Sequence, residues 1–145
     1  MLERLRGLPR FSSLESFVNA LLKEEHGNVS SIVLFGSMAK GTYNIYSDFD
    51  LIVVVRKEEL PFKDRPLKYS KYSDGWVEAF VYTREEVEYM FREFNTLILE
   101  ALKDGIIIYD DGFWSKLQSR FKELMEKGII RPKKNGWIIS RQTGS

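Results

Sequence analysis

Two aspartates stand at the start of the most apolar run of this chain, and this placement constrains the fold more than any other feature. Asp48 and Asp50 lie two residues apart where the run from Phe49 to Val55 begins. Residues i and i+2 of an extended segment point to the same face, so the two carboxylates lie side by side. Two such anions repel each other unless a cation lies between them, and an unpaired carboxylate is costly to bury. The pair therefore predicts a strand that enters a sheet beside a divalent metal.

The structural alternative is that Asp48 caps a turn and Asp50 is a charge at the sheet edge. The apolar residues on both sides of Asp50 favour the functional interpretation, because they predict a central strand that is buried on both faces.

A glycine and a serine follow the preceding apolar segment, Ile32 to Phe35, which predicts a short buried strand. Gly36 lets the backbone turn sharply and approach a ligand. Ser37 offers a hydroxyl and a backbone N–H at the start of a short predicted helix, a position that suits a phosphate, and Lys40 adds a positive charge. A phosphate site beside a metal site indicates an enzyme that transfers phosphate groups. It is not a P-loop, because Thr42 stands where that motif has its lysine.

Composition narrows the kind of metal and the class of protein. The 145 residues fit one ordinary domain, and the absence of cysteine excludes disulfides and thiolate metal sites. The only histidine, His26, lies where the first predicted helix ends, so the expected ligands are oxygens and the expected ion is Mg²⁺ or Mn²⁺. A net charge of +1 gives no support for nucleic-acid binding. We find no apolar run that could span a membrane and no signal sequence, so we expect a cytoplasmic protein.

The remaining sequence alternates predicted helices and strands. Capping boxes at Ser12 and Thr83 predict helices over about 13–26 and from Arg84 through an apolar stripe to Leu102. A last helix is expected over 113–127 and a β turn near Asn135. The predicted strands are 32–35, 49–55, 76–82 and 105–109, and residues 57–72 are expected to be a loop with one helical turn. These elements predict an α/β (α+β) fold, a single domain over 1–145 in which the helix and tail of about 112–145 form an extension.

The glycine–serine segment and the two aspartates together resemble a known signature. Gly36-Ser37-Met38-Ala39-Lys40-Gly41 followed by Ser47-Asp48-Phe49-Asp50-Leu51 is similar to the motif of the polymerase-beta-like nucleotidyltransferases, and more narrowly of the minimal nucleotidyltransferases of archaea and bacteria. The resemblance covers roughly residues 12–102. It implies a palm-like fold with one mixed sheet of about four strands flanked by helices.

The resemblance also implies a third carboxylate, carried by a later strand. Glu78 is the only acid within the predicted strand 76–82, although the family often has aspartate here. The extra methylene of glutamate moves the carboxylate outward and could change metal preference. The structural alternative for Glu78 is a strand residue that faces solvent.

The implied function is metal-dependent transfer of a nucleoside monophosphate, AMP from ATP in the first instance, to a hydroxyl of an unknown acceptor. Asp48, Asp50 and Glu78 would hold the metal ions, while Gly36, Ser37, Lys40 and Ser47 would contact the nucleotide and its phosphates. The family also implies a separate helical HEPN-type partner, to which some members add AMP as antitoxins, or a homo-oligomer that completes the site. The alternative is a nucleotide-binding subunit or antitoxin that acts by complex formation with little turnover.

Overall fold

The computed structural model of the protein describes residues 2–140, which form six α-helices and six β-strands. The helices are α1 (Phe11–Glu25), α2 (Gly36–Lys40), α3 (Arg65–Tyr69), α4 (Arg84–Arg92), α5 (Thr96–Asp104) and α6 (Phe113–Glu126). The strands are β1 (Val29–Phe35), β2 (Phe49–Val55), β3 (Val77–Thr83), β4 (Ile106–Asp110), β5 (Ile130–Lys133) and β6 (Gly136–Ile139). Short 3₁₀ turns lie at Leu2–Leu5, Phe62–Asp64 and Ser70–Tyr72.

Four strands form one mixed sheet in the order β3-β2-β1-β4. β2 runs antiparallel to β1 and parallel to β3, and β4 runs antiparallel to β1. β1 and β2 are the two inner strands, and nearly all of their residues are buried, which explains their almost continuous apolar sequence. The predicted mixed sheet of four strands flanked by helices is confirmed.

Helices cover both faces of this sheet because side chains alternate along each strand. Leu51 and Val53 of β2 pack with Phe17 and Leu21 of α1 in one buried cluster. Ile52 and Val54 belong to a second cluster on the opposite face, with residues of α4, α5 and α6. α6 contributes the fully buried Trp114 to that second cluster, so this C-terminal helix is part of the main core.

Two helix starts illustrate where local sequence patterns succeed and fail. The capping box predicted at Thr83 is confirmed, since its hydroxyl accepts from the Glu86 N–H and the Glu86 carboxylate accepts from the Thr83 N–H. The capping box predicted at Ser12 is wrong. α1 begins at Phe11, and Arg10 occupies the preceding position in a left-handed conformation (φ 59°) without a side-chain cap.

The single helix predicted from Arg84 to Leu102 is also wrong, because the structure divides it into α4 and α5. Phe94 adopts a left-handed conformation (φ 54°) between them. The side chain of Asn95 then accepts a hydrogen bond from the Ile98 N–H and caps α5. Both helices face the same core, which is why the apolar stripe continues across the break.

Other boundaries differ from the prediction in smaller ways. β1 starts at Val29, three residues early, because the buried hydroxyls of Ser30 and Ser31 donate to Asp111 and Asp110. Residues 57–72, expected to be a loop with one helical turn, contain α3 and also two 3₁₀ turns. The predicted turn near Asn135 is confirmed as the connection of the β5–β6 hairpin, while the end of the predicted tail, residues 141–145, lies outside the described residues. Within residues 2–140, no helix is long and apolar enough to cross a membrane.

Candidate active site

One edge of the sheet brings together the segments that carry the predicted site. β1 ends at this edge, and β2 and β3 both begin there, because β2 is antiparallel to β1 and parallel to β3. Phe35 is the register partner of Asp50, and Asp50 is in turn the register partner of Glu78. Asp50 shares its strand face with Ile52, so its carboxylate lies on the side of the sheet covered by α4, α5 and α6.

Gly36 is in direct proximity to Asp50. A Cβ atom at position 36 would lie 2.7 Å from Asp50 Oδ2, closer than real carbon atoms approach an oxygen. Its backbone also has a positive φ of 74°, which disfavours residues with side chains. Residues with a side chain are therefore disfavoured at position 36 for two independent reasons. The backbone that follows Gly36 starts beside the Asp50 carboxylate.

The short helix α2 begins at this close approach. Phe35 occupies its N-cap position and supplies no side-chain hydrogen bond, so the first N–H groups of α2 have no side-chain cap. Ser37 is half-buried in this first turn. At the other end, the N–H groups of Gly41 and Thr42 both donate to the Ser37 carbonyl and close the helix. This segment can donate backbone hydrogen bonds to an anion next to Asp50.

The electrostatics of the edge are unfavourable without a cation. Burial raises the pKa of Asp50 from 3.8 to about 6, and the charges of Glu78 and Asp48 add to this effect. Asp48 and Glu78 are themselves exposed. Three acidic side chains therefore interact with one another across the starts of two neighbouring strands.

The three acids do not converge on one point in this conformation. Across residues 2–140, no group of three histidine, cysteine or acidic side chains is close enough to hold a metal ion. The donor set nevertheless fits an oxygen-ligated divalent cation, because every group is a carboxylate and Asp50 already carries uncompensated charge. The exposed side chains of Asp48 and Glu78 are free to change rotamer towards such an ion.

Lys40 and Ser47, both predicted to contact the nucleotide, have partners elsewhere. Lys40 Nζ lies 3.9 Å from the Glu100 carboxylate of α5. The Ser47 hydroxyl accepts a hydrogen bond of 3.0 Å from the Asn44 N–H within the loop that leads to β2. The structure thus groups Gly36, Ser37, Asp48, Asp50 and Glu78 at one edge, and gives Lys40 and Ser47 contacts within the protein.

Arg10 is a residue of the site region that the sequence did not indicate. Its guanidinium donates to the carbonyls of Ile45 (3.0 Å) and Ser47 and lies over the Trp76 ring, 3.9 Å from the ring centroid. Ser47 directly precedes Asp48, and Trp76 is two residues before Glu78. Arg10 therefore contacts both the loop that leads to Asp48 and the residue Trp76 just before the strand of Glu78.

A cavity of about 460 Å³ lies beside the outer strand β3 and reaches the carboxylates. Asp48 and Glu78 form part of its lining, and Arg65, Tyr69 and Ser70 from the segment around α3 form another part. The site edge is therefore open towards a concave surface on the β3 side.

Comparison with known proteins identifies the family of this chain. The sequence profile of the nucleotidyltransferase domain family matches residues 14–130. A "putative protein adenylyltransferase" of Methanocaldococcus jannaschii is 30% identical over 139 residues, which covers 88% of this chain and 92% of that protein. An alignment of this length at this identity extends well beyond the motif segment.

Solved structures show the same fold at lower identity. A toxin–antitoxin structure with AMP-PNP matches with a TM-score of 0.51 at 17% identity, covering 78% of this chain and 87% of the matched chain. The spectinomycin adenyltransferase AAD(9) of Enterococcus faecalis, with ATP and spectinomycin, matches with a TM-score of 0.55 at 18% identity, covering 75% of this chain and 59% of the other. With a profile that spans most of its length and a relative that matches nearly end to end, this chain belongs to the nucleotidyltransferase domain family and is a nucleotidyltransferase.

Proposed function

We propose that this protein transfers AMP from ATP to a hydroxyl group of a protein acceptor, and that the reaction depends on a divalent metal. The observation that carries the proposal is that Gly36, directly after β1, lies beside Asp50 of β2, whose register partner on β3 is Glu78. Burial, together with the charges of Glu78 and Asp48, raises the pKa of Asp50. A phosphate-binding turn and several carboxylates at the same sheet edge are what nucleotidyl transfer needs.

Each residue has a role that follows from its position. The N–H groups at the start of α2, together with the Ser37 hydroxyl, would donate to oxygens of the triphosphate beside Asp50. Asp48, Asp50 and Glu78 would hold Mg²⁺ or Mn²⁺, which when bound neutralises the triphosphate and lowers the pKa of an attacking hydroxyl. The acceptor oxygen forms a bond to the α-phosphorus, the bond between that phosphorus and the bridging oxygen breaks, and pyrophosphate leaves. Lys40 would reach the phosphates only by leaving Glu100.

A separate HEPN-type helical protein is the acceptor that we propose first. The Methanocaldococcus jannaschii relative is named as an adenylyltransferase of proteins. One structural neighbour is a toxin–antitoxin complex with an ATP analogue, which favours an antitoxin role for this chain as well. A homo-oligomer that completes the site is the other arrangement consistent with a chain of this size.

The alternative function is nucleotide binding with little turnover, in an antitoxin that acts by forming a complex. One observation favours it: the three carboxylates do not converge in the described part of the chain, and the longer Glu78 stands where the family often has aspartate.

Asp50→Asn separates the two functions. We expect this variant to lose transfer of AMP by at least about 100-fold, because Asp50 would be one of the carboxylates that hold the metal. The measurement is release of pyrophosphate and the mass shift of a co-purified partner in the presence of Mg-ATP, together with calorimetric titration of Mg-ATP. Asp64→Asn, an exposed change outside the site, is the matched control.

Two outcomes contradict the proposal. If Asp50→Asn transfers AMP as well as the wild type does, the assignment of the active site is wrong. If the wild type binds Mg-ATP but releases no pyrophosphate with any partner or hydroxyl acceptor, the nucleotide-binding alternative is correct.

A further inference from the structure

The cavity beside β3 occupies a position that the nucleotide does not account for. Gly36 follows β1, Asp50 lies on β2 and Glu78 lies on β3. The proposed phosphate-binding turn at Gly36 and the carboxylates of Asp50 and Glu78 therefore follow one another in a line across the sheet. The cavity continues this line beyond Glu78, on the side opposite to Gly36. In-line displacement at phosphorus requires the nucleophile to approach opposite to the leaving group. With the phosphates held near Gly36, the attacking hydroxyl enters from the cavity side.

The outer edge of β3 offers one unpaired backbone position in this cavity. The Ser73 hydroxyl donates to the Val77 carbonyl (2.9 Å) and accepts from the Val77 N–H (3.3 Å). Arg65 donates to the Val81 carbonyl at 2.9 Å. Backbone groups alternate in direction along a strand, so the N–H and carbonyl of Ala79 point outward between these two. Within residues 2–140, neither group has a backbone partner outside the sheet, and Ala79 lines the cavity.

The walls of the cavity indicate the chemistry of its occupant. Phe62 and Phe80 contribute accessible aromatic surface, and the almost fully buried Phe17 and Tyr69 lie behind it. Arg65 offers no free charge, because its guanidinium donates to Leu60, Val81 and the Glu86 carboxylate. An occupant must therefore match one outward N–H and carbonyl pair, cover apolar walls and bring a hydroxyl to Glu78.

We propose that the cavity beside β3 binds the acceptor as a short extended polypeptide segment, which pairs with the N–H and carbonyl of Ala79 and presents a hydroxyl side chain to Glu78. A polypeptide backbone supplies the complementary donor and acceptor at the spacing of a strand, as in other cases of strand addition. This inference rests on the proposed nucleotidyl transfer and adds the place and the conformation of the acceptor.

The test blocks the cavity without touching the nucleotide site. Ser70 is an exposed residue of the cavity wall, and Ser70→Trp fills the space with a large side chain. Leu67→Trp is the matched control, because Leu67 lies one helical turn away in α3, is 83% exposed and does not line the cavity. The probe is a pool of synthetic heptapeptides with a central serine, threonine or tyrosine, incubated with Mg-ATP that is labelled at the α-phosphate.

We expect the wild type to label a subset of the peptides. Ser70→Trp should lower this labelling by at least about tenfold and leave the Kd for Mg-ATP within about twofold, since a blocked acceptor pocket affects only the second substrate. Leu67→Trp should label the peptides as the wild type does. The second measurement is amide hydrogen exchange at Ala79. It should slow by at least about tenfold when we add an analogue, without the hydroxyl group, of a peptide that the wild type labels.

Three results overturn the inference in distinguishable ways. Equal labelling by Ser70→Trp, or unchanged exchange at Ala79 with a bound peptide, shows that the acceptor lies elsewhere. Labelling of spectinomycin but of no peptide overturns the polypeptide class and leaves nucleotidyl transfer standing. Failure of the wild type to bind Mg-ATP at all overturns the proposed function together with the inference.

Discussion

At Asp50, burial and the charge of neighbouring acids act in the same direction. Both favour the protonated carboxyl group, and together they raise its pKa from 3.8 to about 6. The unfolded chain has no such environment, so the folded protein takes up a proton at Asp50 in a pH range where the unfolded chain does not. Stability without metal therefore decreases as the pH rises through this range.

The first prediction concerns this titration. In metal-free buffer at about pH 7.5, Asp50→Asn should be more stable than the wild type by on the order of 2 kcal/mol, a value reduced from the full shift because Asp50 is partly exposed. The difference should shrink towards zero at about pH 4, where the wild-type carboxyl group is protonated in the folded state and close to its pKa in the unfolded state. Urea unfolding of both proteins across this pH range measures it.

Magnesium provides the control for this prediction. A cation bound by the folded state should stabilise the wild type and not Asp50→Asn. A difference in stability that does not change with pH would show that Asp50 is not electrostatically frustrated.

Single residues of the site differ in how far the sequence reveals them. Asp48, Asp50 and Gly36 lie within one short stretch whose pattern is local, so their grouping at one edge of the sheet could be predicted. Arg10 could not, because its contacts span 35 and 37 residues and depend on a left-handed backbone that arginine rarely adopts. The contact between Lys40 and Glu100 is equally remote in sequence.

At the scale of elements, the residue before α1 contacts the segments that lead into β2 and β3. Arg10 immediately precedes α1, and its guanidinium connects the loop before β2 to Trp76 before β3. The contacts of Arg10 thus help to set the relative position of Asp48 and Glu78, although Arg10 bonds to neither carboxylate.

The second prediction tests Arg10 as a positioning residue. Arg10→Lys keeps the charge but loses the forked donors, so we expect kcat for AMP transfer to fall by about tenfold while the KM for ATP stays within about threefold. Steady-state kinetics separate the two constants, and Arg6→Lys, at an exposed position, is the control. A rise in KM with unchanged kcat would mean that Arg10 serves nucleotide binding instead.

The division of the predicted long helix into α4 and α5 could not be seen in the sequence for a physical reason. Periodicity reports which side chains face the core, and both helices place Phe91, Ile98 and Leu102 against the same cluster. The break itself depends on the left-handed backbone of Phe94, which the apolar stripe hides. Asn95 carried the one local signal, as a preferred capping residue.

At the scale of the whole molecule, the connection between the parallel strands β2 and β3 is held by one buried arginine. Arg65 is only 4% exposed and bonds to Leu60, to Val81 of β3 and to Glu86 of α4. It thereby fixes the segment around α3 against the sheet and shapes the cavity wall.

The third prediction follows from this arrangement. Arg65→Met should lower the free energy of unfolding by about 2 kcal/mol, because it leaves the buried Val81 carbonyl without its donor. The partly exposed Glu86 carboxylate also loses its ion pair but keeps the hydrogen bond from the Thr83 N–H. Urea unfolding measures the change, with Lys63→Met as an exposed control in the same segment. A loss below about 0.5 kcal/mol, which is typical of surface changes, would contradict a structural role for Arg65.

The order of the strands in the sheet could be predicted from the sequence only through the family resemblance. Alternating helices and strands predict the class. The antiparallel pairing of β1 with β2 depends instead on the path of residues 36–48, and the parallel pairing of β2 with β3 depends on how the segment 57–72 crosses the sheet. That segment is polar and contains two prolines, so its pattern indicates a loop and gives no direction.

The close approach of Gly36 to Asp50 has a consequence for how mutational scans of this protein are interpreted. Any side chain at position 36 displaces the Asp50 carboxylate, so we expect a substitution there to inactivate by steric exclusion. An alanine scan would score Gly36 with the carboxylates, as if it took part in the chemistry, although it has no side chain to contribute. Loss of activity at positions 36 and 50 would then have one cause, the displaced or missing Asp50 carboxylate. A double substitution should lower the activity no further than Asp50→Asn alone.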